Sequence, residues 1–282
     1  MDQSVGIVMP AYRAEATIAV AVGSILAQGF EDWRLFIISD DGADYEAVLA
    51  KAGLKDSRFR FLATPTRQSG ASAARNVGLD ALDTGYGALL DADDRFRPNK
   101  LGRCIEALKT HAIVSTAIGV VDLGFNHLRY VGTGADRELT AGQHKFVNLS
   151  MDSMILWDRS VTDARCDATL PNMNDLDFLI RLFAKVERSF HIGEALHDYV
   201  KVPTSLSNAP KVTERMIASK TVIMGRLRDG YYGVGQEAVD GLVRFLTVSI
   251  GAERAFREAA TMKPGLLFED HLEPRLRATS SA

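Results

Sequence analysis

The sequence predicts an α/β fold in which a doubly wound, mostly parallel sheet is flanked by helices. Through about the first hundred residues, short apolar segments alternate with segments of helical periodicity. The apolar segments show no polar alternation, which indicates strands that are covered on both faces. From about residue 208 onward the periodicity is helical alone, so we expect a helical C-terminal extension.

The individual elements follow from apolar spacing and from the turn-forming residues between them. In the N-terminal part we predict strands at 5–9 (ended by Pro10), 35–38, 58–63 and 87–90, and helices at 18–26, 45–51 and 71–82. Beyond Asp94 we predict helices at 100–110, 175–186, 212–228 and 236–262, and extended segments at 113–121, 128–131 and 191–202. The tail after Pro274 is predicted to be frayed.

Composition excludes several classes of protein. The chain has 282 residues and a formal net charge of −3, with no basic stripe of the kind that nucleic-acid binding requires. Cys104 and Cys166 lack the short spacing of a zinc knuckle or a disulfide framework, which fits a reducing compartment. No secretory signal is evident, and the apolar runs are too short to span a bilayer. We expect a cytoplasmic protein, with peripheral contact at the inner face of the membrane left open.

Polar side chains follow three of the four N-terminal strands, at residues 10–13, 39–42 and 91–94. The carboxyl ends of parallel strands meet at one edge of the sheet, where ligands bind. Up to five carboxylates are expected at this edge, those of Asp40, Asp41, Asp91, Asp93 and Asp94, although we expect Asp40 to shape the turn and not to contact a ligand. Because carboxylates repel one another at short range, a bound cation is the simplest compensation.

Asp91 and Asp93 are the first candidates for cation ligands. Alternate residues of an extended segment point the same way, so both carboxylates could face one ion. Oxygen ligands suit Mg²⁺ or Mn²⁺. The alternative is that these acidic residues only cap the following helix, which an isolated Asp-x-Asp favours. The glycine patterns of a dinucleotide-binding fold and of a phosphate loop are both missing, so a bound diphosphate would have to be neutralised by metal and basic side chains.

Five segments, at 5–12 with Glu15, 24–28, 37–42, 70–78 and 88–101, follow one another at familiar intervals. Their order and spacing resemble the inverting family-2 glycosyltransferases of the GT-A fold. The resemblance is dense over residues 5–101 and patchy from there to about residue 207. It implies a nucleotide-sugar-binding half at 1–101, an acceptor-binding half of the same domain at 102–207, and a helical extension at 208–282.

The resemblance also implies roles for individual residues. The residues that it places at the nucleotide sugar are Pro10, Ala11, Tyr12, Glu15, Asp41, Arg75, Asp91 and Ala92. Within this set Asp41 would accept a hydrogen bond from the base. Asp93, with Asp91 at the ribose or in the metal's shell, would hold Mn²⁺ or Mg²⁺. For Arg75 the alternative is a solvated position on an alanine-rich helix.

Asp175 is the candidate catalytic base, because residues 174–177 with Arg181 resemble the family segment whose aspartate has that role. A carboxylate within reach of the acceptor hydroxyl could take its proton, while a metal stabilises the leaving diphosphate. One such pair suffices for a single displacement with inversion. The alternative is that Asp175 only caps the helix that it begins.

Three positions depart from the family pattern. Arg13 stands where asparagine is usual, Asn174 replaces a glutamate, and Val202 occupies the place of a histidine that often binds the metal. The metal would then be held by Asp93, the diphosphate and water, or else by His197 as well. We prefer the first arrangement, because lone histidines are more often structural.

Three functions compete at this stage. The favoured one is a glycosyltransferase that uses a UDP-sugar and a saccharide or lipid-linked acceptor, in polysaccharide or glycolipid synthesis. The second is a catalytically impaired relative that binds nucleotide sugar as a regulatory or scaffold partner. The third is a nucleotidyltransferase, for which residues 10–15 would have to form a glycine-rich basic loop that they do not resemble. The C-terminal helices are predicted to pack on the core, with homodimer formation and membrane contact as alternatives.

Overall fold

One large sheet runs through the computed structural model, which describes residues 3–201 and 212–280. Its strands are β1 (Val5–Ala11), β2 (Trp33–Ser39), β3 (Phe59–Ala63), β4 (Tyr86–Leu89), β5 (Arg95–Phe96), β6 (Ile113–Val121), β7 (His127–Val131), β8 (Arg137–Thr140), β9 (Leu156–Asp158) and β10 (Arg188–Val200). The strand order is β3-β2-β1-β4-β9-β6-β10-β5, with β7 paired to β6 and β8 paired to β10. The predicted α/β sheet is therefore confirmed.

The N-terminal half of the sheet is parallel, as the sequence predicted. β1 lies between β2 and β4, and β2 pairs with β3, all in the same direction. Pro10 does not end β1 as expected, and the strand continues to Ala11. The ladder with β4 ends at Val8, and Pro10 lies two residues further on, on the same side of β1. The missing N–H of Pro10 is therefore on a side of β1 where no strand is paired at this position. The proline costs no ladder hydrogen bond, so the strand tolerates it.

The second half of the sheet is mixed. β9 lies antiparallel between β4 and β6, and β10 runs parallel to β6. Since β9 is antiparallel to both of its neighbours, β4 and β6 point the same way. The carboxyl ends of β1, β2, β4, β6 and β10 consequently meet at one edge of the sheet.

Helices cover both faces of the sheet. They are α1 (Ile18–Leu26), α2 (Tyr45–Lys51), α3 (Ala71–Ala81), α4 (Lys100–Leu108), α5 (Ala141–Val147), α6 (Asn174–Leu182, followed by a 3₁₀ turn at Phe183–Lys185), α7 (Val212–Arg228), α8 (Gln236–Met262) and α9 (Phe268–Ser280). Ile7 and Met9 of β1 pack with α1, α2 and α4, whereas Val8 packs with α3, α6 and α8. Successive residues of a strand point to opposite faces, so a strand that is apolar throughout needs both layers.

The C-terminal helices are joined to the core by a close contact between α8 and α5. A Cβ on Gly241 would lie 2.5 Å from the Cα of Gly142, so the two helices approach within a distance that only glycine permits. Leu242, Phe245 and Leu246 of α8 are buried in the same apolar cluster as Val8. The extension therefore packs on the core, which is the arrangement that the sequence favoured.

The predicted frayed tail after Pro274 is wrong, because Pro274 lies inside α9. Proline removes one helical hydrogen bond, and contacts outside the helix compensate for it. Arg129 of β7 forms ion pairs with Asp270 and Glu273, and Glu269 binds Lys201 and Ser150. Over the described residues, no helix has both the length and the apolar character that a membrane span requires.

Gly241→Ala tests the contact between α8 and α5. We expect a loss of about 1–3 kcal/mol in the free energy of unfolding, because the added methyl group forces the helices apart. The matched control is Gly251→Ala on the same helix, where an added Cβ meets nothing within 4 Å. That variant should gain about 0.5–1 kcal/mol, since alanine is the better helix former. Urea denaturation measures both, and two changes of the same sign would contradict the contact.

Candidate active site

The end of β1 presents an exposed aromatic ring at the edge of the sheet. Pro10 is half-buried and Ala11 is buried, but the Tyr12 side chain is 43% exposed, which excludes a core position for it. Arg13 has a φ of 51°, in the left-handed region where asparagine is favoured over most side chains. Its guanidinium lies 5.2 Å from the centroid of the Tyr12 ring. Arg13 thus has the left-handed backbone conformation that asparagine favours, and it adds a positive charge.

Asp41 fixes the end of β1 to the end of β2. Its carboxylate accepts hydrogen bonds from the backbone N–H of Arg13 and Ala43 and from the hydroxyls of Tyr45 and Ser39. Burial raises the pKa of Asp41, but these four bonds outweigh burial and hold the pKa below its usual value. Glu15 is exposed and interacts electrostatically with Tyr45. An ionised Asp41 therefore joins the end of β2 to Arg13, the residue that follows Tyr12.

Two of the five carboxylates expected at this edge have structural partners, and Asp40 shapes a turn as predicted. Asp40 accepts hydrogen bonds from the N–H of Ser69 and Gly70 and from Thr64, so it closes the turn before α3. Asp94 is buried and accepts from the N–H of Val200. Both side chains are occupied inside the protein because each satisfies backbone donors that would otherwise be buried without a partner.

Residues 91–94 form a turn and not the extended segment that the sequence predicted. The N–H of Asp94 donates to the carbonyl of Asp91, which closes the turn directly after β4. The carboxylates of Asp91 and Asp93 still interact, because the charge on Asp91 raises the pKa of Asp93. A turn can therefore hold the two groups near one ligand although they do not lie on the same side of a strand.

Arg75 interacts both with the carboxylate that follows β4 and with the one at the start of α6. Its Nη2 lies 2.6 Å from Oδ1 of Asp91, and its charge also acts on Asp175. The side chain is buried, so the alternative of a solvated helix face is wrong. Burial is the largest influence and lowers the pKa of Arg75, but the charges of Asp91, Cys166 and Asp175 and the hydrogen bond to Asp91 together outweigh it and keep the pKa above its usual value. Within the described residues its buried Nε has no hydrogen-bond partner, which leaves one donor for a ligand.

Asp93 has the character of a cation ligand. Burial, and then the charge of Asp91, raise its pKa to about 6. In the part of the chain that the structure describes, no basic side chain forms an ion pair with Asp93, and no group of three or more His, Cys, Asp or Glu is placed to hold a metal ion. A divalent ion with most of its shell open to phosphate oxygens and water fits this arrangement, whereas a closed protein site does not.

His197 is part of a buried structural network. Its Nε2 lies 3.3 Å from Asp94, and its Nδ1 lies 3.1 Å from the Nζ of Lys100, which also donates to the carbonyl of Met154. Burial lowers the pKa of His197 well below its usual value and that of Lys100 to about 8. Both ring nitrogens are engaged, so His197 is not placed to bind a metal. Val202 lies outside the described residues.

Asp175 lies at the start of α6, but it does not cap that helix. Its Oδ2 accepts a hydrogen bond of 2.8 Å from the backbone N–H of Asp152, which comes from the segment after α5. No other donor among the described residues reaches the carboxylate, so Oδ1 has no hydrogen-bond partner there. Burial, and then the charge of Asp152, raise the pKa of Asp175 above its usual value. One oxygen is thus fixed and the other can accept a proton.

Asn174 has a structural role that accounts for its departure from the family. Its amide Nδ2 donates to the carbonyls of Leu170 and Asp167 and so holds the loop before α6. A glutamate could not donate either bond. Asp152 was not found from the sequence, because it lies in an irregular segment and its contact with Asp175 depends on the fold.

The chain is similar in sequence to known proteins. The sequence pattern of Glycosyl transferase family 2 matches residues 6–155, more than half of the chain. The chain is 37% identical over 100 residues, 36% of its length, to the Escherichia coli UDP-Glc:alpha-D-GlcNAc-diphosphoundecaprenol beta-1,3-glucosyltransferase WfgD. It is 37% identical over 99 residues, 35% of its length, to the Rhizobium meliloti succinoglycan biosynthesis protein ExoO. These matches span 39% and 28% of the two relatives' own lengths.

The fold of the chain matches that of a solved structure. The crystal structure of Staphylococcus aureus TarS 1-349 in complex with UDP-GlcNAc aligns with 98% of this chain and 83% of its own, with a TM-score of 0.69. Sequence identity is 14%, so this likeness shows the fold alone. The predicted GT-A-type architecture is confirmed.

Asp93→Asn should stabilise the metal-free protein at neutral pH. The folded pKa of about 6 lies above the unfolded value, so the ionisation of Asp93 removes stability as the pH rises through 6. Asparagine avoids this loss, and we expect a gain of about 1–3 kcal/mol at pH 8 that shrinks towards zero at pH 4. Urea unfolding in EDTA at both pH values measures it. A gain that does not depend on pH would contradict the assignment.

Proposed function

This chain belongs to glycosyltransferase family 2, and on that premise we propose that it transfers a sugar from a UDP-sugar to an acceptor hydroxyl with inversion. The observation that carries the proposal is the placement of Asp175, which has one fixed and one free carboxylate oxygen. The Arg75 guanidinium connects it electrostatically to Asp91 and Asp93. An inverting transfer requires this layout, with a base on the acceptor side and charge neutralisation on the leaving-group side.

The nucleotide would bind across the end of β1. Asp41 and Asp91 follow β2 and β4, which flank β1, so their backbones are separated by two strand spacings, or about 10 Å. A nucleoside stacked on Tyr12 and hydrogen-bonded to Asp41 at one end would place its diphosphate towards Asp91 and Asp93. The buried donor Nε of Arg75 lies on that side. UDP is proposed as the nucleotide because the Escherichia coli relative is named for UDP-Glc and the TarS structure contains UDP-GlcNAc.

The acceptor hydroxyl would approach Oδ1 of Asp175. A sugar hydroxyl is a weak nucleophile, so its proton must pass to a base as the new bond forms. The raised pKa of Asp175 makes it a stronger base than an exposed aspartate, while the N–H of Asp152 keeps the carboxylate oriented. Mn²⁺ or Mg²⁺ held by Asp93 and Asp91 would neutralise charge on the leaving diphosphate.

The acceptor is proposed to be a saccharide or a lipid-linked saccharide in polysaccharide or glycolipid synthesis. This follows the names of the relatives, one a transferase to a diphosphoundecaprenol-linked sugar and the other a succinoglycan biosynthesis protein. A cytoplasmic location with peripheral contact at the inner membrane face would suit such an acceptor. The alternative of a catalytically impaired relative is not favoured, because Asn174 leaves the carboxylate of Asp175 in place.

Asp175→Asn should abolish transfer while donor binding is retained. An amide cannot take the acceptor proton, so we expect kcat to fall by about 10²–10⁴-fold. UDP release in the presence of acceptor measures kcat, and a thermal-shift titration with UDP-sugar measures binding. The control is Asp80→Asn, an exposed aspartate that pairs with Arg165. A wild-type rate in Asp175→Asn would require a different base.

Removal of the metal should have the same effect as removal of Asp93. We expect EDTA to abolish UDP release and Mn²⁺ to restore it in the wild type, since the leaving charge would otherwise be unneutralised. Asp93→Ala should lose at least about 100-fold in rate at saturating Mn²⁺. The exposed Asp83, which pairs with Arg34, provides the control variant Asp83→Ala. Full activity in EDTA would refute the metal requirement.

A further inference from the structure

A cluster of buried charges lies behind Asp175 and has no part in binding the nucleotide. Lys145 of α5 and Asp152 form an ion pair of 2.8 Å, and each side chain is 1% exposed. The Nε2 of His144, equally buried, lies 3.2 Å from the other oxygen of Asp152. Burying two charges costs several kcal/mol each, and their attraction often does no more than offset that cost. A contribution to stability alone therefore does not explain well why this ion pair is buried.

The cluster is connected directly to the candidate base. Asp152 uses its side chain for Lys145 and its backbone N–H for Oδ2 of Asp175. The ion pair thus fixes the peptide that orients the Asp175 carboxylate. Lys145 also lies 5.3 Å from the centroid of the Phe245 ring of α8, the helix that meets α5 at Gly142. The C-terminal extension therefore supports the base through α5.

We propose that Asp152 and Lys145 are positioning residues for the catalytic base, holding the Asp152 N–H on Oδ2 of Asp175 so that Oδ1 faces the acceptor. The inference rests on the proposed role of Asp175. In this role the buried Asp152–Lys145 ion pair orients the base for the transfer step, a function that the nucleotide-binding residues do not have.

The ion pair also sets part of the electrostatic environment of Asp175. The charged and titratable groups that interact with Asp175 are Arg75 of α3, Lys145 of α5, Asp152 and Cys166; His144 of α5 acts on Asp152, and Asp177 of α6 acts on Cys166. Asp177 is bound to Arg181, Arg226 and Tyr232. Burial and then the charge of Asp152 raise the pKa of Asp175, while the N–H of Asp152, Lys145 and Arg75 lower it. Within the Asp152–Lys145 pair, the charge of Asp152 has the larger effect on the pKa of Asp175.

The relative size of these contributions determines how the pH profile changes when the ion pair is removed. Removing both charges of the pair lowers the pKa of Asp175, because the larger, raising contribution is lost. Asp175 must be ionised to act as a base, so the acid limb of the pH profile moves to lower pH. A weaker and less well oriented base also lowers kcat, whereas the KM for the donor is set elsewhere in the site.

The test is the double variant Lys145→Met/Asp152→Asn, which removes both charges, leaves no buried unpaired carboxylate, and keeps the backbone N–H. We expect kcat to fall at least about tenfold, the acid limb to move down by about 0.5–1 pH unit, and the donor KM to stay within about twofold. The matched control is Lys220→Met/Glu253→Gln, which removes another buried ion pair, of 2.6 Å between α7 and α8. That control should lower stability without moving the pH profile.

Each outcome decides the proposal. If the Lys145/Asp152 variant has the kcat and pH profile of the control, the pair is merely structural and the proposal fails. If the double variant does not fold, Asp152→Asn alone is measured, and an unmoved acid limb there overturns the proposal equally. Asp175→Asn is assayed beside both. Wild-type transfer by that variant refutes the proposed base, whereas an inactive Asp175→Asn with an unmoved limb in the double variant refutes only the positioning role.

Discussion

The site depends on the buried guanidinium of Arg75. It lies between a donor side rich in carboxylates and the candidate base, and it pairs with Asp91 at 2.6 Å while its charge also acts on Asp175 and Asp93. Without this positive charge, three buried or half-buried carboxylates would repel one another in a medium that screens charge poorly. α3 lies close against β1 at Gly78, where an added Cβ would lie 2.5 Å from the Val8 side chain, and Arg75 is three residues earlier on the same helix.

The C-terminal extension takes part in the site indirectly. α8 meets α5 at a pair of glycines, and α5 carries the lysine that holds Asp152. α7 and the turn after it bind Asp177, two residues beyond Asp175 in α6, through Arg226 and Tyr232. The C-terminal helices therefore support α6 in two ways, through α5 and Asp152 and through the contacts of Asp177. Such support matters for catalysis because a base displaced by about 1 Å can lose much of its effect.

Acidic residues with similar sequence contexts have different roles in this protein. Asp40 and Asp94 satisfy backbone donors, Asp41 joins two strand ends, and Asp93 is left without a basic partner among the described residues. Adjacent residues thus separate into structural and functional groups according to which donors the fold brings to them. The raised pKa of Asp93 marks a group whose charge Arg75 compensates only in part.

The sequence by itself determined the parallel sheet and the edge where the candidate site lies, because apolar runs, helical spacing and turn residues are local properties. It also placed Asp175 at a helix start and Asp93 after β4. It missed β5, β8, β9 and α5, which are short and owe their conformation to neighbours distant in the chain. The turn at residues 91–94, the burial of Arg75 and the bond from Asp152 to Asp175 were decided by the tertiary structure. Each depends on contacts between segments far apart in the chain, and no local pattern encodes them.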